Sequence, residues 1–401
     1  MYEPAVIEGW KKLRFHFFPE SQIRRLRDMS GDLSISLVRP SLVEIPGGVT
    51  TQGAADGKTI SGVYDRNNCL VASSFRIRGK DGRVDGDAEP DDLSKAVRDE
   101  RDAYYLGRGS SHYGHFILET LSRAWAWNEF GRDRVPVLQS SVPQFARAFL
   151  ALIPELAERI EIISAPRRFR NILVPGASFV IAREAHVEFK RMCERMAGHA
   201  MIRSEPVTDQ PLYLSRAGLS LSRRTLEGET WLERSLEREG FLIVRPETLP
   251  VAEQIALVNR HRWIISPQGS ACHTRLFSRI CTNFVTVTSD YLNPNYMLCD
   301  LLCEGTSHYL NALAQPQIGT RVRLARFWEP RLLDRVRLLG ALRQLGLVRN
   351  SAVFDDPAPD LNGYKLRWIE AARAQMKTRP DDKKKLLEAI DEVTASLDAT
   401  E

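Results

Sequence analysis

The sequence predicts an α/β protein of two Rossmann-like lobes followed by C-terminal helices. Short β-rich runs alternate with helix-length segments through both halves, the pattern of βαβ units around a parallel sheet. The polar, proline-containing stretch 204–209 interrupts that alternation and reads as a linker. A second such stretch, Asp355-Asp-Pro-Ala-Pro-Asp360, precedes the last helices. The expected units are residues 1–205, 206–320 and 321–401.

The first unit opens on an amphipathic stretch near 7–18. Asp32-Leu-Ser-Ile-Ser-Leu-Val38 then alternates as a strand does. Residues 49–62 are rich in glycine and polar side chains and read as loop. Gly62-Val-Tyr64 and 69–75 read as a strand pair joined by the turn-forming Asp65-Arg-Asn-Asn68. Residues 79–92 form a polar, acidic loop. From Tyr113 onward, Phe116, Leu118, Leu121 and Trp125 recur at helical spacing, with Ser110 or Ser111 suited to cap the helix. Strand-like runs at 135–138, 160–163 and 171–174 surround a helical segment at 144–152, and a helix at 187–203 leads into the linker.

The second unit begins with the strand Pro211-Leu-Tyr-Leu-Ser215. A helix over 230–239 is stopped by Gly240, and a strand over 241–245 and a helix over 251–261 follow. The next strand, 263–266, turns at Pro267-Gln-Gly-Ser-Ala271 into a further helix, and a strand over 283–288 closes the series. Beyond it the pattern predicts helices over 331–345, 364–376 and 381–397. The last carries Leu386, Leu387, Ile390, Val393 and Leu397 on one stripe.

At 401 residues there is room for two cores, and a composition of 43% hydrophobic and 27% charged residues excludes a disordered chain. The net charge of +5 suits an anionic ligand, falls short of a nucleic-acid binder, and comes with no motif of that class. Six scattered cysteines without a CxxC pair predict reduced thiols in a cytoplasmic protein. No secretory pattern opens the chain and no apolar run reaches spanning length, which leaves only peripheral contact with a membrane open.

Several residues could carry chemistry. Arg216, Arg223 and Arg224 follow the strand at 211–215, and ligands of parallel sheets bind beyond such strand ends. Guanidinium forks there would match phosphate oxygens and offset charge on a leaving group, although a solvated basic loop reads equally well. Gly269 and Ser270 open a helix whose free N–H groups would hold phosphate or ribose. The fingerprint GxGxxG is absent, which counts against NAD or FAD. His112, His115 and Glu119 form HxxHxxxE on one helix face. His115 with Glu119 suits a general base or a hydroxyl anchor; a metal site and a structural histidine are the alternatives, and no common zinc signature has this spacing. Arg123 extends the same face. Glu253-Gln254 lies within reach of a ligand or on an exposed helix face, and Asp85-Gly-Asp87 reads as a solvated loop.

These stretches resemble glycosyltransferase family 61, including bacterial members of capsular polysaccharide synthesis. Tyr113-Gly-His-Phe-Ile-Leu-Glu-Thr-Leu-Ser-Arg123 is similar to that family's YGHFLLETLPR segment. Tyr213-Leu-Ser-Arg216, Arg223-Arg224, Gly240-Phe241, Pro246-Glu-Thr-Leu249 with Glu253-Gln254, and Ser266–Thr274 follow its order of landmarks. The resemblance implies a GT-B-like architecture and sugar transfer from a nucleotide-sugar, a UDP-sugar foremost, to a glycan or glycoconjugate. It further implies inversion, with no cofactor and no obligatory metal. It assigns catalysis to His115 and Glu119. Donor binding falls to Arg216, Arg223, Arg224, Glu253, Gln268, Gly269, Ser270 and His273, and the acceptor side to His112, Tyr113 and Arg123. The sequence departs from the family at His112, at Glu227, at Gln268 and at Cys272-His273-Thr274, where His273 is placed to substitute for a missing histidine. The departures at Gln268 and Glu227 also admit a non-catalytic nucleotide-sugar or glycan-binding subunit of a polysaccharide assembly complex.

Overall fold

The computed structural model describes residues 12–30, 33–51, 61–78, 83–84, 93–201, 206–219, 226–288, 292–314, 331–349, 361–378 and 382–398. Part of the first linker and the whole of 355–360 lie outside them.

The second half is built on a six-stranded sheet ordered Leu13–His16, Ser307–Asn311, Asn283–Thr288, Trp263–Pro267, Leu212–Leu214, Leu242–Val244. Every neighbouring pair is parallel. Helices Glu229–Arg238, Val251–Arg260 and Pro294–Leu302 supply crossovers, as parallel strands require. The inner strands are buried along most of their length, which is why they read as continuous apolar runs. Ser307–Asn311, unassigned in the sequence, is one of them.

Leu13–His16 comes from the start of the chain yet forms an edge strand of this second sheet. Phe15 stacks on Tyr309 with ring centroids 5.6 Å apart, and His16 Nε2 lies 3.0 Å from His308 Nδ1.

The first half carries a seven-stranded sheet. Glu161–Ile162, Val135–Leu138, Val97–Tyr105 and Arg167–Pro175 run parallel in that order. Leu42–Pro46 and Val49–Thr50 pair antiparallel with Arg167–Pro175, and Val63–Tyr64 pairs with Val49–Thr50. Val97–Tyr105, central here, escapes the sequence reading because its first residues are mostly charged. Those charges pair along the strand and across the sheet: Arg101 binds Asp99 of its own strand and Glu161 of another, each at 2.7 Å, and Arg170 donates to Asp102 at 2.8 Å. The hydrogen bond from Arg170 holds the Asp102 carboxyl down to about 2.

Local expectations are corrected in three places. Residues 69–75 form no strand; only Leu70 bridges Tyr64, and Asp65 Oδ1 accepts from the N–H groups of Asn67 and Cys69, both at 2.8 Å, closing a side-chain turn. Residues 331–345 split into the strand Arg331–Leu333 and the helix Arg335–Gln344, because Asp334 Oδ1 caps the N–H of Arg337 at 3.0 Å. In the C-terminal hairpin of Leu361–Thr378 and Lys383–Asp398, Leu387 is exposed while Leu386, Ile390 and Val393 are buried with Tyr364 and Trp368.

The largest apolar cluster takes residues from both halves, among them Tyr104, Phe116, Trp127 and Phe149 from the first and Ile255, Phe277, Met297 and Tyr309 from the second. Phe149 stacks on Phe277 at 5.2 Å. The halves therefore share a core. All six cysteines are free, and among the described residues no helix is long and apolar enough to cross a membrane.

At the base of the second half, fully buried Arg275 pairs with Asp300 at 2.6 Å and donates to Thr282 O at 3.1 Å, while Tyr309 OH donates to the other Asp300 oxygen. Removing one partner strands a buried charge. Asp300→Ala is expected to cost about 3–5 kcal/mol, measured as a lower urea midpoint. An unchanged midpoint would mean that the guanidinium finds water.

Candidate functional site

The helix from Tyr113 is irregular. One α-turn, Tyr113–His115, opens into a wide π turn over Phe116–Thr120, tightens into 3-10 geometry over Leu121–Ala126, and widens again over Trp127–Gly131. Wide turns of this kind are frequent at functional sites. The N-cap is His112 rather than Ser110 or Ser111: its Nδ1 accepts from His115 N at 3.4 Å, and Ser110 Oγ accepts from His112 N at 3.3 Å.

One turn on, His115 Nδ1 lies 2.9 Å from Glu119 Oε2. The Glu119 side chain is 7% exposed and that of His115 39%. Arg76 Nη1 stands 3.7 Å from the same carboxylate oxygen and its Nη2 donates to Arg108 O at 3.0 Å. An ionised carboxylate only accepts, so with Glu119 ionised this contact requires the His115 proton on Nδ1 and leaves Nε2 as an acceptor. That is the arrangement of an oriented general base.

Arg123, grouped with these residues by spacing, serves the scaffold. It is buried and donates to Ser73 O at 2.5 Å, Pro175 O at 2.6 Å and Phe75 O at 3.2 Å, so its guanidinium is spent on backbone carbonyls. Burial lowers its pKa. Tyr113 reaches into the other half: its hydroxyl donates to Gln254 Oε1 at 2.9 Å and lies 3.1 Å from Thr274 Oγ1.

From the second half, Arg216 follows Leu212–Leu214, and its course is fixed by buried Glu229, whose Oε1 accepts from Arg216 N at 2.7 Å and from Tyr213 OH at 2.9 Å. Burial raises the Glu229 carboxyl. The Arg216 guanidinium lies over Gly269, where a Cβ would stand 1.6 Å from Nη1, and Nη1 donates to Gln268 O at 3.5 Å. The Gln268 side chain turns away, onto the hydroxyl of Thr288. Ser270 opens the 3-10 helix Ser270–Phe277. His273, on the same turn, is buried and stacked on Tyr296 at 4.8 Å, with Nδ1 3.6 Å from Cys299 Sγ. Burial pushes its pKa down to about 3, aided by His115 and His112.

The two sets meet at Gly114. A Cβ there would stand 2.9 Å from His273 Cδ2 and 3.2 Å from Ser270 Oγ. His112 and His115 are thereby brought close enough to His273 to act on its charge, with Ser270 at the same contact. Glu253 is exposed; its neighbour Gln254 makes the contact between halves. Arg223, Arg224, Asp85 and Asp87 lie outside the described residues, as does the side chain of Glu227. Sequence reasoning missed Arg76 and Glu229, and marked Thr274 only as part of a departure from the family pattern. Glu229 alone had a local signal, an acid directly after Gly228 at a helix start.

Residues 113–285 match the family model described as Glycosyltransferase 61. No curated protein matches. Among solved structures the chain is similar to a bacterial iron-containing dodecameric glycosyltransferase, TibC, from enterotoxigenic E. coli H10407, with 11% identity, 72% of this chain and 84% of that chain covered, and a TM-score of 0.30. A second structure, described as the dodecameric iron-containing heptosyltransferase TibC in complex with ADP-D-beta-D-heptose, gives 10% identity, 72% and 82% coverage, and a TM-score of 0.30.

Gly114→Ala tests the contact between the halves. His273 is held by Tyr296 and cannot swing aside, so the substitution is expected to cost about 1–3 kcal/mol through overpacking. Chemical denaturation reads the cost; a wild-type midpoint would show that the halves can part without loss.

Proposed function

We propose that this chain, whose residues 113–285 match the Glycosyltransferase 61 family model, is a glycosyltransferase that moves a sugar from a nucleotide-sugar, a UDP-sugar foremost, to a glycan or glycoconjugate hydroxyl. Inversion and polysaccharide synthesis are part of that reading. The two sheets act as the lobes of a GT-B-like enzyme with the Gly114 contact at their junction. One observation carries it: the His115–Glu119 pair borders the same contact as the Gly269–Ser270 turn that Arg216 covers.

Arg216 and the Gly269–Ser270 backbone hold the diphosphate, and Arg223 and Arg224 follow Arg216 in the sequence as further candidate cations. The acceptor oxygen forms its bond to the anomeric carbon as the bond from that carbon to phosphate oxygen breaks. The electron pair leaves on the nucleoside diphosphate, where guanidinium charge stabilises it. The acceptor proton passes to His115 Nε2. Glu119 holds the ring through Nδ1 and stabilises the imidazolium that results. Since His273 is neutral, it adds no charge to oppose that step.

His115→Ala is expected to lower kcat by about 10²–10⁴-fold while a nucleoside diphosphate at a hundred times its Kd still stabilises the fold by about 2.7 kcal/mol. Gly269→Ala should show the reverse signature, because its methyl group displaces the Arg216 guanidinium and the stabilisation is lost. Unchanged turnover in the first variant removes His115 as base; retained nucleotide stabilisation in the second removes the Arg216 cradle.

A further inference from the structure

Away from the cavity of about 500 Å³ that Glu119 and Arg123 border in the first half, the second half holds a buried acid that the mechanism leaves unused. Glu229 opens the helix Glu229–Arg238, directly after Gly228 in the left-handed conformation, and is only 2% exposed. Its two oxygens are treated unequally. Oε1 accepts from Arg216 N at 2.7 Å, from Tyr213 OH at 2.9 Å and from Ser215 Oγ at 3.3 Å. Oε2 is buried and has no hydrogen-bond partner among the described residues. Buried polar atoms are nearly always satisfied, so an orphaned carboxylate oxygen calls for a reason.

We propose that Glu229 is a proton-linked positioning residue: when a nucleoside diphosphate binds at Arg216, Glu229 takes up a proton from solvent on Oε2. The inference rests on the donor reading above and deepens it. The groups that face the carboxyl set its charge. Tyr213 and Arg216, at the end of the strand Leu212–Leu214, donate to it. Glu233, one turn on in the same helix, opposes its charge but is itself bound to Arg245 at 2.8 Å. Burial raises the carboxyl, and the Arg216 N–H and guanidinium pull it back down. The helix N-terminus also favours the charged form.

A diphosphate on the Arg216 guanidinium cancels the charge that offsets burial and brings negative charge of its own. Both changes favour the neutral acid. An unpaired neutral O–H costs less in a buried site than an unpaired oxygen of an ion, so the orphaned Oε2 is the place for the proton. Oε1 meanwhile keeps its bonds to Arg216 N and Tyr213 OH, and the loop beneath the diphosphate stays in place. Because binding takes up a proton, affinity rises as pH falls through the window above 4.5 in which the raised carboxyl titrates.

The test is calorimetric titration of the full chain with UDP, GDP and ADP within that window. Two buffers of equal pH and different ionisation heat count the protons taken up. Glu229→Gln keeps an oxygen to accept from Arg216 N and has nothing to titrate. Protons taken up by the nucleotide itself are common to both proteins and cancel in the difference. The wild type should take up as much as one proton more than the variant, and its affinity should gain up to about tenfold per pH unit relative to it. A role confined to holding the loop would leave the proton count unchanged. Equal uptake in the two proteins therefore overturns the inference. Should Glu229→Gln not fold, infrared difference spectra of the wild type carry the test. A band of protonated carboxyl must then appear on nucleotide binding, and its absence overturns the proposal. Arg216→Met separates the two levels of the argument. Binding lost in Arg216→Met without extra proton uptake in the wild type ends the inference and leaves the donor reading standing. Binding that ignores Arg216→Met, or no binding of any of the three nucleotides, ends the donor reading and the inference with it.

Discussion

The absence of a side chain at Gly114 sets the distance between the halves of this molecule. With a Cβ in place, His273 Cδ2 at 2.9 Å and Ser270 Oγ at 3.2 Å would both have to move. Because the position is bare, Tyr113 comes close enough to share its hydroxyl with Gln254 and Thr274, and Phe149 can stack on Phe277. The polar contacts follow from that approach and do not cause it. A net hydrogen bond contributes about 1 kcal/mol, whereas forcing an extra carbon into a packed contact costs as much or more. Steric fit thus decides which residues of the first half meet which of the second.

Within that fit, burial distributes charge between the two histidines. His273 is enclosed and stacked, so the cost of desolvating its cation pushes its pKa down to about 3. His115 is partly open and backed by a carboxylate. Two neighbouring imidazoles are in this way given different surroundings: one is enclosed and kept neutral, the other is partly open and paired with a carboxylate. The pair would work against each other if both sat in the same environment.

The second sheet was legible because its strands are buried on both faces and therefore apolar throughout; Asn283–Thr288 and Trp263–Pro267 coincide closely with the sequence reading. The central strand of the first sheet was not. In Val97–Tyr105 the charges that suggest loop are satisfied by Glu161 and Arg170, partners on other strands that no local window contains. Leu13–His16 was hidden for a related reason, since its partner Ser307–Asn311 is almost the whole chain away. At the site, helical spacing placed His115 against Glu119 correctly. It could not separate that pair from Arg123, whose face is the same but whose guanidinium ends among carbonyls. Spacing gives direction; only packing gives partners.

The placement of Arg123 also explains why the segment from Tyr113 to Arg123 behaves as a unit. Its first turn fixes the distance to the second half through Gly114. Its π turn carries Glu119, which bonds back to His115 on the first turn, and its next turn anchors the segment of Ser73 and Phe75 through Arg123. Glu119 and Arg123 then border one cavity from the same helix, the first through a carboxylate shared with Arg76, the second through a guanidinium that holds the opposite wall. A shift of this helix would therefore move the His115–Glu119 pair, the junction of the halves and the cavity wall together. Coupling of that kind favours rigid positioning over adjustable contact, which matters at any catalytic centre, where misplacement by a single ångström can cost about 10²-fold in rate.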